Sequence, residues 1–401
     1  MVSYLTKLFG VSHLNLAEDI VQDTLCQALA AWPAHGVPEN PSAWLMRAAK
    51  NRAIDMLRRA EHFRELTPEL RRLLEHHDSA IDEAANDREI FDDQLRMMFS
   101  CCHPALSSDA QVTLILKTLC GFSVAEIANA LLSSEDSVEK RLGRARKVLR
   151  EQGSFVAIQG GSEIAERLEA VHQAIYLLFN EGYHGTNAAE TVREELCYEA
   201  LRLALLLSEH PLSALPKTFA LLALFCFDAA RLPGRIDAEG ALVQLESQDR
   251  SKWDALLIGQ GLRYLERAAQ DEELSEFHVE AAIASLHGRA RSYEETDWQR
   301  ISDLYDLLYR MKPTAIVALN RAIALGMAEG VERGLAALAA LATDPKLDAY
   351  PFLPAAQGEF HRRAGRLNAA RACFDRALTL ARTPAEARFL EARIVLCSAK
   401  A

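Results

Sequence analysis

Apolar residues recur at helical spacing along almost the whole of this chain. Its 401 residues contain no convincing run of alternating β-branched side chains and no glycine-rich phosphate-binding motif. We therefore predict an all-α fold in which each helix packs through one apolar face. The chain is 50% hydrophobic and 25% charged, as folded globular domains are, and it shows neither a signal peptide nor an apolar run long enough to cross a bilayer. We expect a cytoplasmic protein.

Composition and turn residues divide the chain into four predicted segments. Residues 1–59 are helical, and residues 60–91, which are polar and mixed, are predicted to be a linker. Residues 92–150 form a second compact set of helices. Beyond Gly153, Gly160 and Gly161, an Ala/Leu-rich helical region is predicted to fill residues 162–401.

The last of these segments has the pattern of helical repeats. Gly358, Ala370, Phe374 and Ala377 follow the spacing of the small and aromatic positions in a tetratricopeptide unit. Small residues at these positions let two antiparallel helices approach closely. The pattern predicts a tetratricopeptide-like domain, whose concave surface would hold a protein or peptide ligand.

The sharpest local motif is a predicted helix-turn-helix beginning at Gly121. Ser123 and Glu126 have the spacing of a capping box, which satisfies free amides at a helix start. An apolar stripe follows, and the small Ala128 leaves room for a second helix to cross. Ser133 or Ser134 is predicted to cap that second helix, whose own apolar stripe contains Val138, Leu142, Ala145 and Leu149.

The second helix of this motif is strongly basic, although the whole chain carries a net charge of −11. The segment Glu139–Arg150 contains six basic residues and one acidic residue. A helix-turn-helix inserts its second helix into the major groove, and Lys140 and Arg144 lie one turn apart on one face. Arg can read guanine, and Lys suits phosphates. The alternative is a helical hairpin with a solvated basic face.

The first segment contains two helices with different charges. In the predicted helix Leu16–Trp32, Asp19, Gln22 and Asp23 share one face, which suits either docking onto a basic partner helix or simple solvation. A proline-rich loop is predicted over Pro33–Ser42. A basic helix follows to Arg59, and together with Trp44 it suits single-stranded DNA. Trp44 alone would more commonly be a core residue.

Eight cysteines are present, and Cys101-Cys102-His103 is their only dense cluster. Adjacent cysteines seldom bind one metal ion together, and no second pair of ligands is evident. We therefore predict that they are structural residues and not zinc ligands, and we expect neither a metal site nor a cofactor. The sequence also lacks the spacing of nucleophile, base and orienting residue that would predict an enzyme.

Together these motifs resemble the RNA polymerase sigma factors of the extracytoplasmic-function type. Ala17–Thr24 resembles the region-two helix that binds core polymerase, and Ala43–Leu45 with Ala49–Arg59 resembles the part that melts promoter DNA. Glu126–Ala128, Ser137-Val138 and Arg141–Arg146 resemble region four, which reads the upstream promoter element. Residues 1–59 would then form sigma region two, and residues 92–150 would form sigma region four.

The resemblance implies roles for particular residues of this chain. Core polymerase would be bound by Asp19, Gln22 and Asp23. The upstream element would be contacted by Ser137, Lys140, Arg141, Gly143, Arg144 and Lys147. The melted strand would be held by His35, Asn40, Trp44, Arg47, Lys50, Asn51, Arg58 and Arg59.

The resemblance extends to a subgroup with a C-terminal tetratricopeptide-like extension. Asp92–Pro104, Leu178–Tyr183 and Gln248–Asp254 are similar to segments of that subgroup. Region two is short at its N-terminus, so we expect the functional protein to begin upstream of Met1. Regulation by the extension is also expected, and clusters near Asn180–Tyr183, Asp228–Arg235 and Asp249–Trp253 are candidate contact points, unless they only tie the helices together.

The resemblance therefore predicts a protein that binds core RNA polymerase and promoter DNA and helps to melt the promoter. One alternative is a helix-turn-helix regulator that senses a ligand through its helical repeats and does not need polymerase. A helical-repeat scaffold without a DNA role would leave residues 1–150 unexplained.

Overall fold

The computed structural model describes residues 1–9, 14–59, 97–131, 133–152, 161–184, 192–237, 242–270 and 273–398. In these ranges there is no β-strand, only an isolated antiparallel bridge between Ile236 and Leu242. The predicted all-α fold is thus confirmed. None of the helices in the described ranges is long and apolar enough to cross a membrane. The predicted linker, residues 60–91, lies outside the described residues.

The chain forms two compact units, Met1–Leu177 and Leu178–Ala401. The boundary falls inside a helix rather than at the glycines that precede it. The helices up to and including this one are α1 (Val2–Phe9), α2 (Leu14–His35), α3 (Pro41–Arg59), α4 (Ser108–Thr118), α5 (Val124–Ala130), α6 (Glu135–Gln152) and α7 (Gly161–Tyr183).

Helices α1 to α3 share a small core at the start of the first unit. Leu5, Ala17, Ile20, Ala49 and Ala53 are at most 2% exposed and pack together. Alanine at three of these five positions lets the helix backbones approach closely, which leaves the polar faces of α2 and α3 in solvent.

The proline-rich loop after α2 is shorter than the sequence predicts. Helix α2 continues through Pro33 to His35, and α3 begins at Pro41. The end of α2 is set by Gly36, which has a φ of 84° and whose N–H donates to the carbonyl of Trp32. A left-handed glycine is a common helix terminator, and it prevails here over the weaker break at Pro33.

Cys101 and Cys102 are packed in the protein interior, as predicted. Residues 97–101 are helical, and both thiols are fully buried. Burial raises the pKa of Cys101 well above its ordinary value and that of Cys102 to about 12. Across the described part of the chain, no group of three or more His, Cys, Asp or Glu side chains could hold a metal ion.

Helical hairpins make up the second unit after the end of α7. Its helices are α8 (Glu194–Glu209), α9 (Pro216–Ala229), α10 (Ala255–Ala268), α11 (Glu276–Arg289), α12 (Trp298–Met311), α13 (Ala315–Glu329), α14 (Val331–Ala340), α15 (Phe352–Arg363), α16 (Leu367–Thr379) and α17 (Pro384–Ser398). Helix α9 is apolar and buried along most of its length, so it forms the centre of the first hairpins.

The predicted tetratricopeptide-like packing is present in the hairpin of α15 and α16. Ala370, Phe374 and Ala377 are at most 1% exposed. A methyl group at Gly358 would lie 2.8 Å from the Phe374 ring, so only glycine allows this approach. The sequence pattern therefore identified both the hairpin and the residues at its crossing.

The segment between α9 and α10, which contains short 3-10 helices, is held within the second unit by side-chain contacts. Arg250 Nη1 donates to the carbonyls of His287 (2.6 Å) and Ala290 (2.7 Å) at the end of α11. The Trp253 ring, which is 7% exposed, lies 4.7 Å from the Arg250 guanidinium and against Gly234. Two of the predicted contact clusters thus make intramolecular contacts.

Candidate polymerase and nucleic-acid interface

The turn before helix α5 has the capping box that the sequence predicts. Ser123 Oγ accepts a hydrogen bond from the Glu126 N–H at 3.2 Å, and Glu126 Oε2 accepts one from the Ser123 N–H at 2.7 Å. Before it, Gly121 has a φ of 73°, which suits glycine at the tight turn from α4. Two free amides at the start of α5 are thereby satisfied.

Helix α6 crosses α5 through the predicted apolar stripe. Val138, Leu142, Ala145 and Leu149 are at most 4% exposed, as are Ile127 and Ala128 of α5. Ser134 is the capping residue, because its Oγ accepts from the Ser137 N–H at 3.3 Å. The two helices form the geometry of a helix-turn-helix, with α6 in the position of the recognition helix.

The opposite side of α6 is an exposed basic face, defined here by Lys140, Gly143, Arg144 and Lys147. All four residues are exposed. Lys140 Nζ lies 2.7 Å from Asp136 Oδ2, and Arg144 Nε donates to the carbonyl of Lys140. Both of these contacts are on the helix surface, so the side chains remain available to a partner.

Two other residues assigned to the upstream element are placed differently. Arg141 is only 18% exposed, and its guanidinium lies 3.5 Å from both Asp109 and Thr113 of α4. Ser137 is half-buried. Arg141 therefore ties α6 to α4, and the basic face is formed by its neighbours.

Gly143 stands in the middle of this basic face with open space around it. A methyl group there would have no protein atom within 4 Å beyond the adjacent helix backbone. Glycine inside a helix costs roughly 0.5–1 kcal/mol relative to alanine. Nothing within the described residues compensates for that cost.

The three residues predicted to bind polymerase form one exposed polar face on α2. Asp19, Gln22 and Asp23 are all exposed, whereas Ala17 and Ile20 beside them are fully buried. Asp23 Oδ2 lies 2.6 Å from Arg52 Nη2 of α3, and both side chains remain largely in solvent. The face is acidic and suits a basic partner helix.

The residues predicted to hold melted DNA lie on α3 and in the turn before it. His35, Asn40, Arg47 and Asn51 are exposed, and Lys50 is half-buried. Asn40 Oδ1 also caps α3, because it accepts from the Ala43 N–H at 3.0 Å. Arg58 and Arg59 end the helix, but their side chains lie outside the described residues.

Trp44 is a packing residue as well as a candidate stacking platform. Its ring meets the Trp32 ring edge-on with centroids 5.7 Å apart, and both side chains are half-buried. This contact joins the end of α2 to the start of α3. At least one side of the Trp44 ring is therefore used in packing, which is the common role of tryptophan.

A contact that the sequence did not reveal joins the two helical parts of the first unit. Glu18 Oε2 lies 2.7 Å from Arg146 Nη2 of α6, and Glu18 Oε1 accepts from Thr118 Oγ1 at 3.2 Å. Glu18 is 22% exposed and Arg146 27%. Asp19 is the next residue of α2 after Glu18, so the exposed acidic face lies beside this internal contact.

Two family models match these two helical parts. Sigma-70 region 2 matches residues 1–63, and Sigma-70, region 4 matches residues 96–149. The chain belongs to the RNA polymerase sigma factors of the extracytoplasmic-function type and carries a C-terminal extension. It is thus a transcription initiation factor, and its two sigma regions imply core RNA polymerase and promoter DNA as partners.

Two curated relatives extend the comparison. The chain is 38% identical to the uncharacterized protein R00370 of Rhizobium meliloti (strain 1021) over 95% of this chain and 90% of that protein. It is 25% identical to the ECF RNA polymerase sigma factor SigX of Bacillus subtilis (strain 168) over 35% of this chain and 73% of that protein. Residues 167–269 match a family of unknown function, DUF6596. No solved structure matches.

Proposed function

We propose that this sigma factor reads the upstream promoter element through the basic face of α6. The observation that carries this proposal is the exposure of Lys140, Arg144 and Lys147 around the open backbone of Gly143. A helix presented in this way fits the major groove, with Arg144 towards a base and Lys147 towards phosphate. Ser137 lies at the start of the same helix, and Arg141 supports it from the side.

Binding of core polymerase is assigned to the acidic face of α2. Asp19, Gln22 and Asp23 project together, and the neighbouring apolar residues hold the helix against α3. A contact of this kind depends on charge complementarity, which governs specificity and association rate more than affinity.

The melted strand is assigned to α3 and the turn before it. Arg47, Lys50 and Asn51 would contact the strand together with His35, Asn40, Trp44, Arg58 and Arg59. Capture of unpaired bases shifts the equilibrium towards open DNA, because it offsets an unstacking cost of a few kcal/mol. The mechanism involves binding and conformational change, with no covalent step.

Run-off transcription by core polymerase, with and without the full chain, tests this function directly. We expect transcripts from cognate promoters only in its presence. The double variant Asp19→Lys, Asp23→Lys should lose both polymerase binding and transcription. Glu266→Lys is the matched control, since Glu266 is an exposed acid of the second unit.

The same variants separate this function from that of a ligand-sensing helix-turn-helix regulator. Such a regulator would bind promoter duplex by α6 without core polymerase. Transcription that is unaffected by reversing the charge of Asp19 and Asp23, together with no measurable binding of core polymerase, would favour the regulator.

We also propose that the C-terminal domain regulates the sigma regions of the same chain. It is larger than both sigma regions together, and the promoter contacts proposed above all lie in the sigma regions. Arg250→Gln should alter promoter-dependent transcription, because Arg250 holds the α9–α10 segment to two carbonyls of α11. The control Arg300→Gln removes an exposed guanidinium of the same unit. Equal transcription by both variants and the wild type would argue against regulation.

A further inference from the structure

The second unit contains a buried guanidinium with no carboxylate partner among the described residues. Arg235 is 7% exposed, and its guanidinium lies 3.7 Å from the centre of the Tyr183 ring. Arg235 Nη2 donates to the carbonyl of Tyr183 at 2.9 Å and lies 3.3 Å from His184 Nδ1. Buried charges are usually paired, so a lone buried cation calls for an explanation.

A second arginine adds to the positive charge at this place. Arg231, with a side chain 13% exposed, has Asp228 as its carboxylate partner at 3.6 Å. The Trp253 ring lies 5.4 Å from the Arg231 guanidinium, with Arg250 on the same ring. Arg250 donates to two backbone carbonyls and to Thr296 Oγ1. Among the described residues, the three guanidinium groups of Arg231, Arg235 and Arg250 therefore have one carboxylate, that of Asp228, within ion-pair distance.

Several buried donors of these side chains are unused. The Nε atoms of Arg231 and Arg235, the Tyr183 hydroxyl and the Trp253 Nε1 are buried and have no hydrogen-bond partner among the residues that the structure describes. Tyr183 is 5% exposed and Trp253 7%. Unsatisfied buried polar groups cost about 1–3 kcal/mol each, so native proteins seldom hold several of them together without a ligand or water.

The cluster is reached from solvent at His184. This side chain is exposed, yet the surrounding protein and the charges of Arg235, Arg231 and Arg382 lower its pKa to about 3. Arg382, whose charge acts on His184, contacts Glu386 at 4.0 Å and lies 5.3 Å from the centre of the Tyr350 ring.

We propose that Arg231, Arg235, His184 and Arg382, together with the Tyr183 hydroxyl, form a binding site for the oxyanion group of a small molecule, a phosphate or a carboxylate. An oxyanion would supply the negative charge that Arg235 lacks and would accept from donors that are now unused. Guanidinium groups bind both oxyanions through paired hydrogen bonds. This site is distinct from the polymerase and DNA surfaces, and the inference does not depend on the proposed function.

The competing explanation is that Arg235 only fastens the end of α7 by binding the Tyr183 carbonyl. That role would use Nη2 and the Tyr183 ring. It would not require Arg231 and Arg382 nearby, nor the unused donors. The two explanations differ in whether added oxyanion binds.

Titration calorimetry and thermal unfolding of the full chain test the site with two probes. Potassium phosphate and potassium succinate are compared with potassium chloride at matched ionic strength. We expect one saturable site and a rise in melting temperature with at least one oxyanion. Phosphate alone would indicate a phosphorylated ligand, succinate alone a carboxylate, and both a site selective for oxyanions in general.

Variants at the exposed residues His184 and Arg382 avoid the danger that replacing the buried Arg235 unfolds the domain. His184→Ala and Arg382→Gln should weaken oxyanion binding, and Arg231→Gln should weaken it by roughly tenfold or more. Arg300→Gln is the control and should bind as the wild type does. No saturable binding of either probe, or equal binding by all four variants, would overturn the proposal.

Discussion

Glu18 and Arg146 form a partly buried ion pair that joins helix α2 to helix α6, with Arg146 Nη2 2.7 Å from Glu18 Oε2. The residues are 128 positions apart in the chain. Thr118 donates to the second oxygen of the same carboxylate. One side chain therefore links sigma region 2 to two helices of sigma region 4.

Glu18→Gln should lower the free energy of unfolding by about 1–2 kcal/mol, because it removes a charge-assisted hydrogen bond from a partly buried site. The variant Arg146→Gln should cost a similar amount. Urea denaturation of both single variants and the double variant measures their coupling, and we expect the double variant to lose less than the two losses added together. Glu139→Gln, on the exposed side of α6, is the control. Fully additive losses would mean that the pair contributes nothing.

Arg144→Ala should weaken the free energy of promoter binding by about 1–3 kcal/mol and relax specificity at one base pair. Lys147→Ala should weaken binding to all sequences alike, since a phosphate contact carries no sequence information. Binding of the full chain to a set of promoter duplexes with single base changes separates the two effects. Arg141→Gln should instead act mainly on stability, because Arg141 faces α4. An unchanged base preference in Arg144→Ala would refute the assignment of base reading to Arg144.

Gly143→Ala should stabilise the protein and weaken promoter binding. The added methyl group meets no protein atom within 4 Å outside its own helix, so the helix should gain roughly 0.5–1 kcal/mol. On DNA the same methyl group would occupy space that the glycine leaves to the duplex. Thermal unfolding and promoter binding are measured on the same sample. Gly259→Ala in α10, where the new methyl group would meet only Arg263 Nη1 at 3.9 Å, should give the stabilisation alone.

The stability of the second unit should fall in acid partly because of His287. Burial, followed by the charges of Arg231 and Arg250, lowers the pKa of His287 from 6.5 to about 3. Below about pH 6.5, His287 is protonated in the unfolded chain but stays neutral in the folded protein. The free energy of unfolding therefore decreases as the pH falls towards 3. His287→Gln should flatten this decrease between about pH 6.5 and about pH 4 in urea denaturation. A slope identical to that of the wild type would contradict the prediction.

Gly358→Ala should destabilise the α15–α16 hairpin by about 1–3 kcal/mol, because the new methyl group would lie 2.8 Å from the Phe374 ring. Hydrogen exchange of the amides in α15 and α16 measures the loss locally. The double variant Gly358→Ala, Phe374→Leu should recover part of it by removing the ring. If Gly358→Ala leaves exchange in both helices unchanged, the close approach is not a constraint.

The sequence predicts the parts of this fold that depend on neighbouring residues. The Ser123–Glu126 capping box, the stripe from Val138 to Leu149 and the glycine at position 358 are local patterns, and each has one favourable geometry. The end of α2 was predicted wrongly because Pro33 is a weaker helix terminator in this context than Gly36.

Contacts between residues that are far apart in the chain could not be predicted from the sequence. Glu18 belongs to a recognisable motif, but nothing in that motif indicates a partner in α6. The sequence groups Arg141 with its basic neighbours as a DNA contact. It does not give the exact rotation of α6 about its axis, and that rotation turns Arg141 towards α4. The sequence shows the charge of Arg235, but only the packing of α7 against the segment after α9 shows that it has no carboxylate partner among the described residues.

Cys26 differs from the other cysteines because it is the exposed one of the eight. Burial raises the pKa of six others, Cys101, Cys102, Cys197, Cys226, Cys373 and Cys397, so they form the reactive thiolate less readily. Oxidants and alkylating reagents should therefore act first on α2, one helical turn from Gln22. Oxidative damage to this protein would fall beside the surface assigned to core polymerase, and a disulfide between two copies would cover that surface in both.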